Sequence, residues 1–431
     1  MECVNSGLDI FKSLGLQTSV ESGEWSEYRP VAALDGTGPL EYSIPPSGLY
    51  YDLSNCYLRV KVRVTRPNGD ALAGADDQNL VPSNLFLHSL FSEVDVFLNS
   101  VQISSPSGCY PYVAYLQTLL TYSPEVKETQ LAAAGYYKDV GGFMEAQEGD
   151  DNTGMVARKR MIAGSRTVEL IGRLHADIFH QEKYLLNHVG LRIKLFRSNT
   201  AFLLKSSEDA GGQRRQYAVH IDDASFFARA LKISPTIQLS HARVLGTTNA
   251  VYPITRTKVR VLNVAAGSFS FHQDNLWLDK IPNRMVVTFV RSDAFNGSLA
   301  HNSFNFQHFR LNFLCLYHQG QQIPAKGLSP NFTDGQYTRA YFGLFQATNT
   351  AWENTSHGIK MEDFAGGYAI YCFDLTPSLS HPSDTLEIVK SGPVRLEANF
   401  AAALETPIVA IIYGEFDSQI EISKSREVMI V

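Results

Sequence analysis

From Cys56 to Thr65 apolar and polar residues alternate without a break. Leu58, Val60, Val62 and Val64 fall on one side, and Arg59, Lys61, Arg63 and Thr65 on the other. A period of two is the mark of a strand with one face buried, and PNG at 67–69 turns the chain after it. Further apolar runs predict strands at Glu93–Leu98, Gly190–Phe196, Tyr217–Ile221, Phe227–Ile233, Lys258–Val264, Arg284–Arg291, Arg310–Tyr317, Tyr368–Phe373, Val394–Ala398 and Ile408–Glu415. Helical periodicity is rare. Its best instance is Tyr112–Leu120, where Tyr115, Leu116, Leu119 and Leu120 make an amphipathic side. Polar, glycine-rich insertions such as EAQEGDDNTG (145–154) and SSEDAGGQRR (206–215) separate the strands. Many strands joined by long loops predict a sandwich or jelly roll rather than a parallel α/β sheet.

The strand pattern occurs twice. SEVDVFLNSVQI (92–103) and NFLCLYHQGQQI (312–323) each run an apolar strand into a tight turn, at Asn99-Ser100 and Gln319-Gly320. The same offset pairs His88 with His308. Downstream, VGLRIKL (189–195) matches GPVRLEA (392–398), with Arg192 against Arg395, and LKIS (231–234) matches IEIS (420–423). The matches keep their order in both halves, which predicts a duplicated β domain. The boundary falls near SPTIQLSHARVLGTTN (234–249), a linker-like run. Length agrees, since 431 residues exceed what one core usually serves.

A formal net charge of −6 gives no long-range attraction to a polyanion. The five cysteines, Cys3, Cys56, Cys109, Cys315 and Cys372, are scattered and contain no CxxC pair, so reduced buried thiols are expected. MECVNSGLDIFKSLGL lacks the apolar core of a signal peptide, and Ile408–Tyr413 is too short to span a bilayer. The expectation is a soluble product made inside the cell, with the sequons at Asn296, Asn331 and Asn354 unglycosylated.

Candidate chemistry concentrates in LIGRLHADIFHQEKYLLNHVGLRIKLFRS (170–198), which holds His175, His180, His188, Asp177 and Glu182. His175 and His180 are five apart. That spacing places them on opposite faces of a strand and roughly 140° apart on a helix, unlike the shared face of a zinc motif. They are expected to be solvated or partner-facing. EGDDNTG (148–154) lacks the Asp spacing of a calcium loop. Asp222 and Asp223 are expected to face opposite ways at a strand end beside a turn. Cys109 shows no local sign of activation. The basic run ARKRMIAGSR (157–166) and the Arg59/Lys61/Arg63 face are candidates for DNA contact, against the plainer reading of solvated charge. No phosphate loop, nucleophile elbow or dinucleotide fingerprint occurs. No catalytic residue, metal ligand or cofactor is assigned. In LDIFKSLGL (8–16), Leu8, Phe11 and Leu14 could form one side of a docking arm.

Several blocks carry a resemblance: NLFLHSLFSEVDVFLNSVQI, YPYVAYLQTLLTY, LHADIFHQEKYLLNHVGLRIKLFRS and YAVHIDDASFFARALKISP, then FHQDNLWLDKIPNRMVVTFVRSDAFNGS and FNFQHFRLNFLCLYHQGQQIP. They are similar to the successive blocks of double jelly-roll major capsid proteins, above all those of Polinton (Maverick) elements and their adintovirus relatives. The likeness runs from about residue 20 to the end. It implies an all-β chain of two tandem eight-stranded jelly rolls with a few short helices in loops, divided as an arm (1–20), a first roll (21–238) and a second roll (239–431). It also implies a homotrimeric, pseudo-hexameric capsomer tiling an icosahedral virion, with a single jelly-roll penton protein at the vertices. Contact with packaged DNA would be weak and nonspecific at most. Insertions at 67–82, 141–165, 205–216 and 324–365 are expected to build the outer crown or the subunit contacts. An alternative of another class is a two-domain β-sandwich enzyme acting on carbohydrate or amide bonds, for which Trp277, Trp352 and Asp279 are the available material. A tandem lectin-like module is a third reading.

Overall fold

The computed structural model describes residues 15–34, 38–73, 80–146, 151–208, 214–382, 386–388 and 390–431. Most of the arm, and part of the 145–154 insertion, lie outside the described residues. Among the described residues, all but three of the strands fall into two sets of eight. The first is Val20–Tyr28 (β1), Leu40–Ile44 (β2), Tyr50–Thr65 (β3), Phe91–Leu98 (β4), Val101–Gln102 (β5), Val168–Gly172 (β6), Leu191–Arg197 (β7) and Ala218–Ile233 (β8). These form two antiparallel sheets in the orders β1-β8-β3-β6 and β2-β7-β4-β5.

The second set is Ala250–Val264 (β9), Ser270–Gln273 (β10), Arg284–Arg291 (β11), Leu311–His318 (β12), Gln321–Leu328 (β13), Ile370–Asp374 (β14), Val394–Phe400 (β15) and Ile408–Ile422 (β16). Its sheets run β9-β16-β11-β14 and β10-β15-β12-β13, and a last strand, Val428–Ile430 (β17), pairs with the far end of β16. Adding eight to each strand number of the first set reproduces the second. Each set is a jelly roll, and the chain is a double jelly roll. Two further short strands, Val81–Pro82 and Leu204–Lys205, pair with each other.

The sequence repeats fall on equivalent strands. The 92–103 and 312–323 segments are the β4–β5 and β12–β13 hairpins, whose turns place Asn99 at φ 53° and Gln319 at φ 49°. The 189–195 and 392–398 segments lie on β7 and β15, and the last match closes β8 and β16. In β3 the Leu58, Val60, Val62 and Val64 side chains are buried while Arg59, Lys61 and Arg63 face outward. Opposed inner faces meet in each core. Tyr42 and Phe226 have ring centroids 6.1 Å apart in the first roll, and Phe289 and Phe400 are 5.8 Å apart in the second.

Some elements differ from the expectations. The runs at 217–221 and 227–233 are one strand, β8, with register shifts at Ile221/Asp223 and Phe227/Arg229. The linker-like run at 234–249 contains a helix, Pro235–Val244, none of whose residues is fully buried. β1, VESGEWSEY, has no apolar alternation because no residue of it is fully buried, so its sequence carries no strand period.

Candidate functional site

The histidines of 170–198 separate in the structure. His188 sits in a turn at φ 59°, its backbone N–H donating to the Ser47 carbonyl at 2.7 Å. His175 is buried rather than solvated, a correction to the sequence reading. It packs edge-on against the buried His88, centroids 4.7 Å apart, and lies 5.7 Å from the more exposed His180. Both His88 and His175 lean on the helix Tyr110–Thr121 (α1). His88 Nδ1 is 2.9 Å from the Tyr110 hydroxyl, and His175 Nδ1 donates to Gln117 Oε1 at 2.8 Å. Burial pushes His88 down to about 3, with His180 adding to the effect, and holds His175 well below the ordinary imidazole range. Both are neutral core histidines.

Gln117 carries this network into the second roll. Its amide donates to the Tyr413 hydroxyl at 3.2 Å and to Thr257 Oγ1 at 3.4 Å. Tyr413 donates to Glu415 at 2.6 Å, and Glu415 also accepts from Arg284 at 2.7 Å, with His381 Nε2 at 3.0 Å. Burial would raise the Glu415 carboxyl, but Arg284 and the hydrogen bonds from His381 and Tyr413 hold it down at about 2. Asp177 accepts from the Thr257 backbone N–H at 3.3 Å, and burial lifts its carboxyl to about 7. The network ties the rolls together. Most of its polar groups are committed to one another, the buried Arg284 Nε being an exception, and among the described residues no three His, Cys, Asp or Glu side chains converge on a metal-sized site.

Above this contact the insertions of the two rolls interlock. The basic run at 157–166 is not a loop: most of it lies on the helix Thr153–Ile162 (α2), capped by Asn152, whose Oδ1 accepts from Met155 N–H at 3.1 Å. Arg158 is buried and donates to both Asp139 oxygens, at 2.8 and 3.1 Å, and to the Pro82 and Tyr137 carbonyls. The Asp139 carbonyl accepts from Tyr368 of the second roll at 2.8 Å. Lys138 pairs with Asp363 at 2.6 Å on the short helix Met361–Ala365, and Lys127 donates to the His357 carbonyl at 2.7 Å. Burial and the nearby Lys138 lower Lys127 to about 7. A cavity of about 730 Å³ lies between the two insertions, with Lys127, Tyr341 and His357 in its wall. A second, mostly apolar one of about 440 Å³ sits under the linking helix, beside Tyr50, Ile237 and Tyr252.

The remaining candidates hold no shared chemistry. Asp222 and Asp223 lie mid-strand, not at a strand end. The register shift between Ile221 and Asp223 lets both reach one face, where Asp222 pairs with Arg63 at 3.4 Å and Asp223 with Arg59 at 3.2 Å. Arg59 also pairs with Glu169, so carboxylates largely neutralise the basic face. Cys56, Cys109, Cys315 and Cys372 are free and buried as expected, and burial raises the Cys109 thiol to about 11. Trp277 is buried edge-on to Phe416, while Trp352 is 91% exposed beside Phe342 and Asp279 is exposed. Buried as it is, Trp277 offers no open stacking face for a sugar. Among the described residues no helix is long and apolar enough to cross a membrane.

No protein-family model matches the chain. The uncharacterized protein F54H12.2 of Caenorhabditis elegans is 26% identical over 419 residues, covering 94% of this chain and 96% of its own length. Among solved structures, a chain of the Sputnik virophage superposes with a TM-score of 0.64 at 12% identity, over 100% of this chain and 92% of that one. The mavirus major capsid protein gives 0.56 at 12% identity over 100% and 93%, and the Faustovirus major capsid protein gives 0.58 at 9% over 96% and 92%. The likeness at these identities is one of fold, and these neighbours are viral double jelly-roll major capsid proteins.

Proposed function

We propose that the chain is the major capsid protein of a Polinton/Maverick-like, adintovirus-like element and acts through self-assembly. Three copies form a pseudo-hexameric capsomer, capsomers tile an icosahedral shell around double-stranded DNA, and a single jelly-roll penton protein closes the vertices. The observation that carries this reading is the doubled topology, two rolls in identical strand order, matched end to end by viral capsid folds. A full-length nematode relative fits an element resident in animal genomes. The polar groups of the buried network are engaged with one another rather than poised around a substrate, which favours a structural role over an enzymatic one. The chain is proposed to divide into domains 21–238 and 239–431, meeting within the linking helix, with residues 1–20 as an arm.

Sedimentation and negative-stain microscopy of the expressed chain test the reading. A species three times the 47.9 kDa chain mass, or shells, is the expected result. A monomer at high micromolar concentration with hydrolytic activity would overturn it. Deleting residues 1–20 should lower particle yield, and an unchanged yield would remove the arm from the proposal.

A further inference from the structure

Three side chains in the wall of the 730 Å³ cavity between the insertions carry hydrogen-bond donors that the rest of the chain leaves unused. Lys127, on the short helix Pro124–Glu128, is 4% exposed. Its ammonium has three N–H donors. It donates to the Leu119 and His357 carbonyls, at 2.5 and 2.7 Å, which leaves one. His357 is 3% exposed, and burial beside Lys127 and Lys138 holds it neutral, at about 3. Its Nδ1 accepts from the Ile359 backbone N–H at 3.3 Å, so the ring proton sits on Nε2. That nitrogen is buried without a hydrogen-bond partner. Tyr136, 2% exposed, has a buried hydroxyl in the same condition. Buried polar groups are paired in folded proteins with few exceptions, so two unpaired ones in one wall call for an acceptor.

The charges of the wall narrow the class of that acceptor. Asp363 is held by Lys138 and Asp139 by the buried Arg158, while Glu128 and Lys360 are exposed. Among the described residues no carboxylate pairs with Lys127, which is a buried cation answered only by carbonyl dipoles. Its lowering to about 7 comes from burial and Lys138, with no acid to oppose them. One uncompensated positive charge beside two neutral donors suits a monoanion with two acceptor oxygens. A phosphate dianion would bring a surplus of negative charge. Tyr341 and Phe345, from the helix Thr338–Ala347, add aromatic surface to the wall, and the Phe345 and His357 ring centroids are 4.3 Å apart. The volume falls in the range of small-molecule pockets, about 300–1,000 Å³, and exceeds what a carboxyl group alone would fill.

We propose that this cavity binds a small organic carboxylate, whose oxygens accept from Lys127, His357 and Tyr136 and whose body lies against Tyr341 and Phe345. Lys127 and Tyr136 belong to the first roll, and His357, Tyr341 and Phe345 to the second. The ligand therefore bridges the two insertions inside a single chain. The proposal goes beyond the capsomer reading and does not depend on it, because every group of the site comes from one copy.

Equilibrium dialysis of radiolabelled benzoate against the full chain tests the proposal, with benzamide as the uncharged analogue and inorganic phosphate as the dianion. Saturable binding of one benzoate per chain is expected, and excess benzamide or phosphate should not displace it. Tyr136→Phe removes a hydroxyl that has no partner in the chain, so the variant should keep the wild-type melting temperature. It should nonetheless weaken benzoate by about 10-fold, the scale of one hydrogen bond to a charged group. Lys127→Met should abolish saturable binding. Should that variant fail to fold, the affinity of Tyr136→Phe decides alone. No saturable binding at millimolar benzoate, displacement by benzamide or phosphate as readily as by benzoate, or an unchanged affinity in Tyr136→Phe would each overturn the proposal.

Discussion

Arg158 and the histidines show how far single residues can be judged from their neighbours in sequence. The run ARKRMIAGSR suggests solvated charge, yet Arg158 is buried in a forked pair with Asp139. A signal for this existed. Met155, Arg158 and Met161 recur at helical spacing, which puts the arginine on the apolar stripe of α2. Removing one partner of a buried pair strands the other, so Arg158→Ala should lower unfolding free energy by about 3–5 kcal/mol, read from urea titration. The His88–His175 contact had no local signal, because the two are far apart in the chain and share α1. Its consequence is a pH dependence. Imidazoles that titrate near 6.5 when unfolded but at about 3, or well below 6.5, when folded leave the unfolded chain binding more protons in that window. Stability is thus lost as pH falls from about 6.5 towards 3. Asp177, raised to about 7, works in the opposite sense: its protonation favours the folded form as pH falls from about 7 towards 4. Melting temperatures from pH 7.5 to 4 should therefore fall less steeply in His88→Gln and more steeply in Asp177→Asn than in the wild type.

Elements were legible in proportion to how one-sided their burial is. β3, β4, β7 and β11 stand out because they alternate or are apolar throughout. β1 and β10 escape notice because they are polar edge strands, and β6 because it is short and only Leu170 of it is fully buried. The bulge in β8 defeats any argument from strict alternation, since one extra residue turns Asp222 to the same face as Asp223. The linking helix reads as a loop because it has no fully buried stripe. Contacts between insertions were the least legible, being set by tertiary approach. At Gly141 a Cβ would stand 2.5 Å from Asp363 Cα, so the two insertions can meet only if this position is glycine. Gly141→Ala should push them apart and cost about 1–3 kcal/mol, the scale of an overpacked contact. Limited proteolysis should then show faster cleavage near residues 356–367, and unchanged cleavage would argue that the crown adapts.

For the whole molecule, the order of repeated segments identified the doubling, and the strand orders of the two rolls agree with it strand for strand. The contact between the rolls through Gln117 and Asp177 could not be read this way, since it depends on which faces meet. Charge behaves as the composition suggests. The net value is −6, and Glu169, Asp222 and Asp223 answer the arginines of β3. Arg59→Gln with Arg63→Gln is therefore expected to leave the nucleic-acid content of purified protein unchanged, measured as the ratio of absorbance at 260 and 280 nm. A marked drop in that ratio would instead make the face a DNA contact. The Gln117 and Asp177 contacts between the rolls also bear on how the chain is made. Thr257 and Tyr413, which meet Asp177 and Gln117 of the first roll, cannot reach their final environment until that roll exists. The ribosome delivers the first roll first, and the roughly 180 residues from β9 onward take on the order of 10–40 s at about 5–20 residues per second. During that interval the first roll can fold and stand ready as a template, so the order of the two rolls along the gene suits the order in which they can fold.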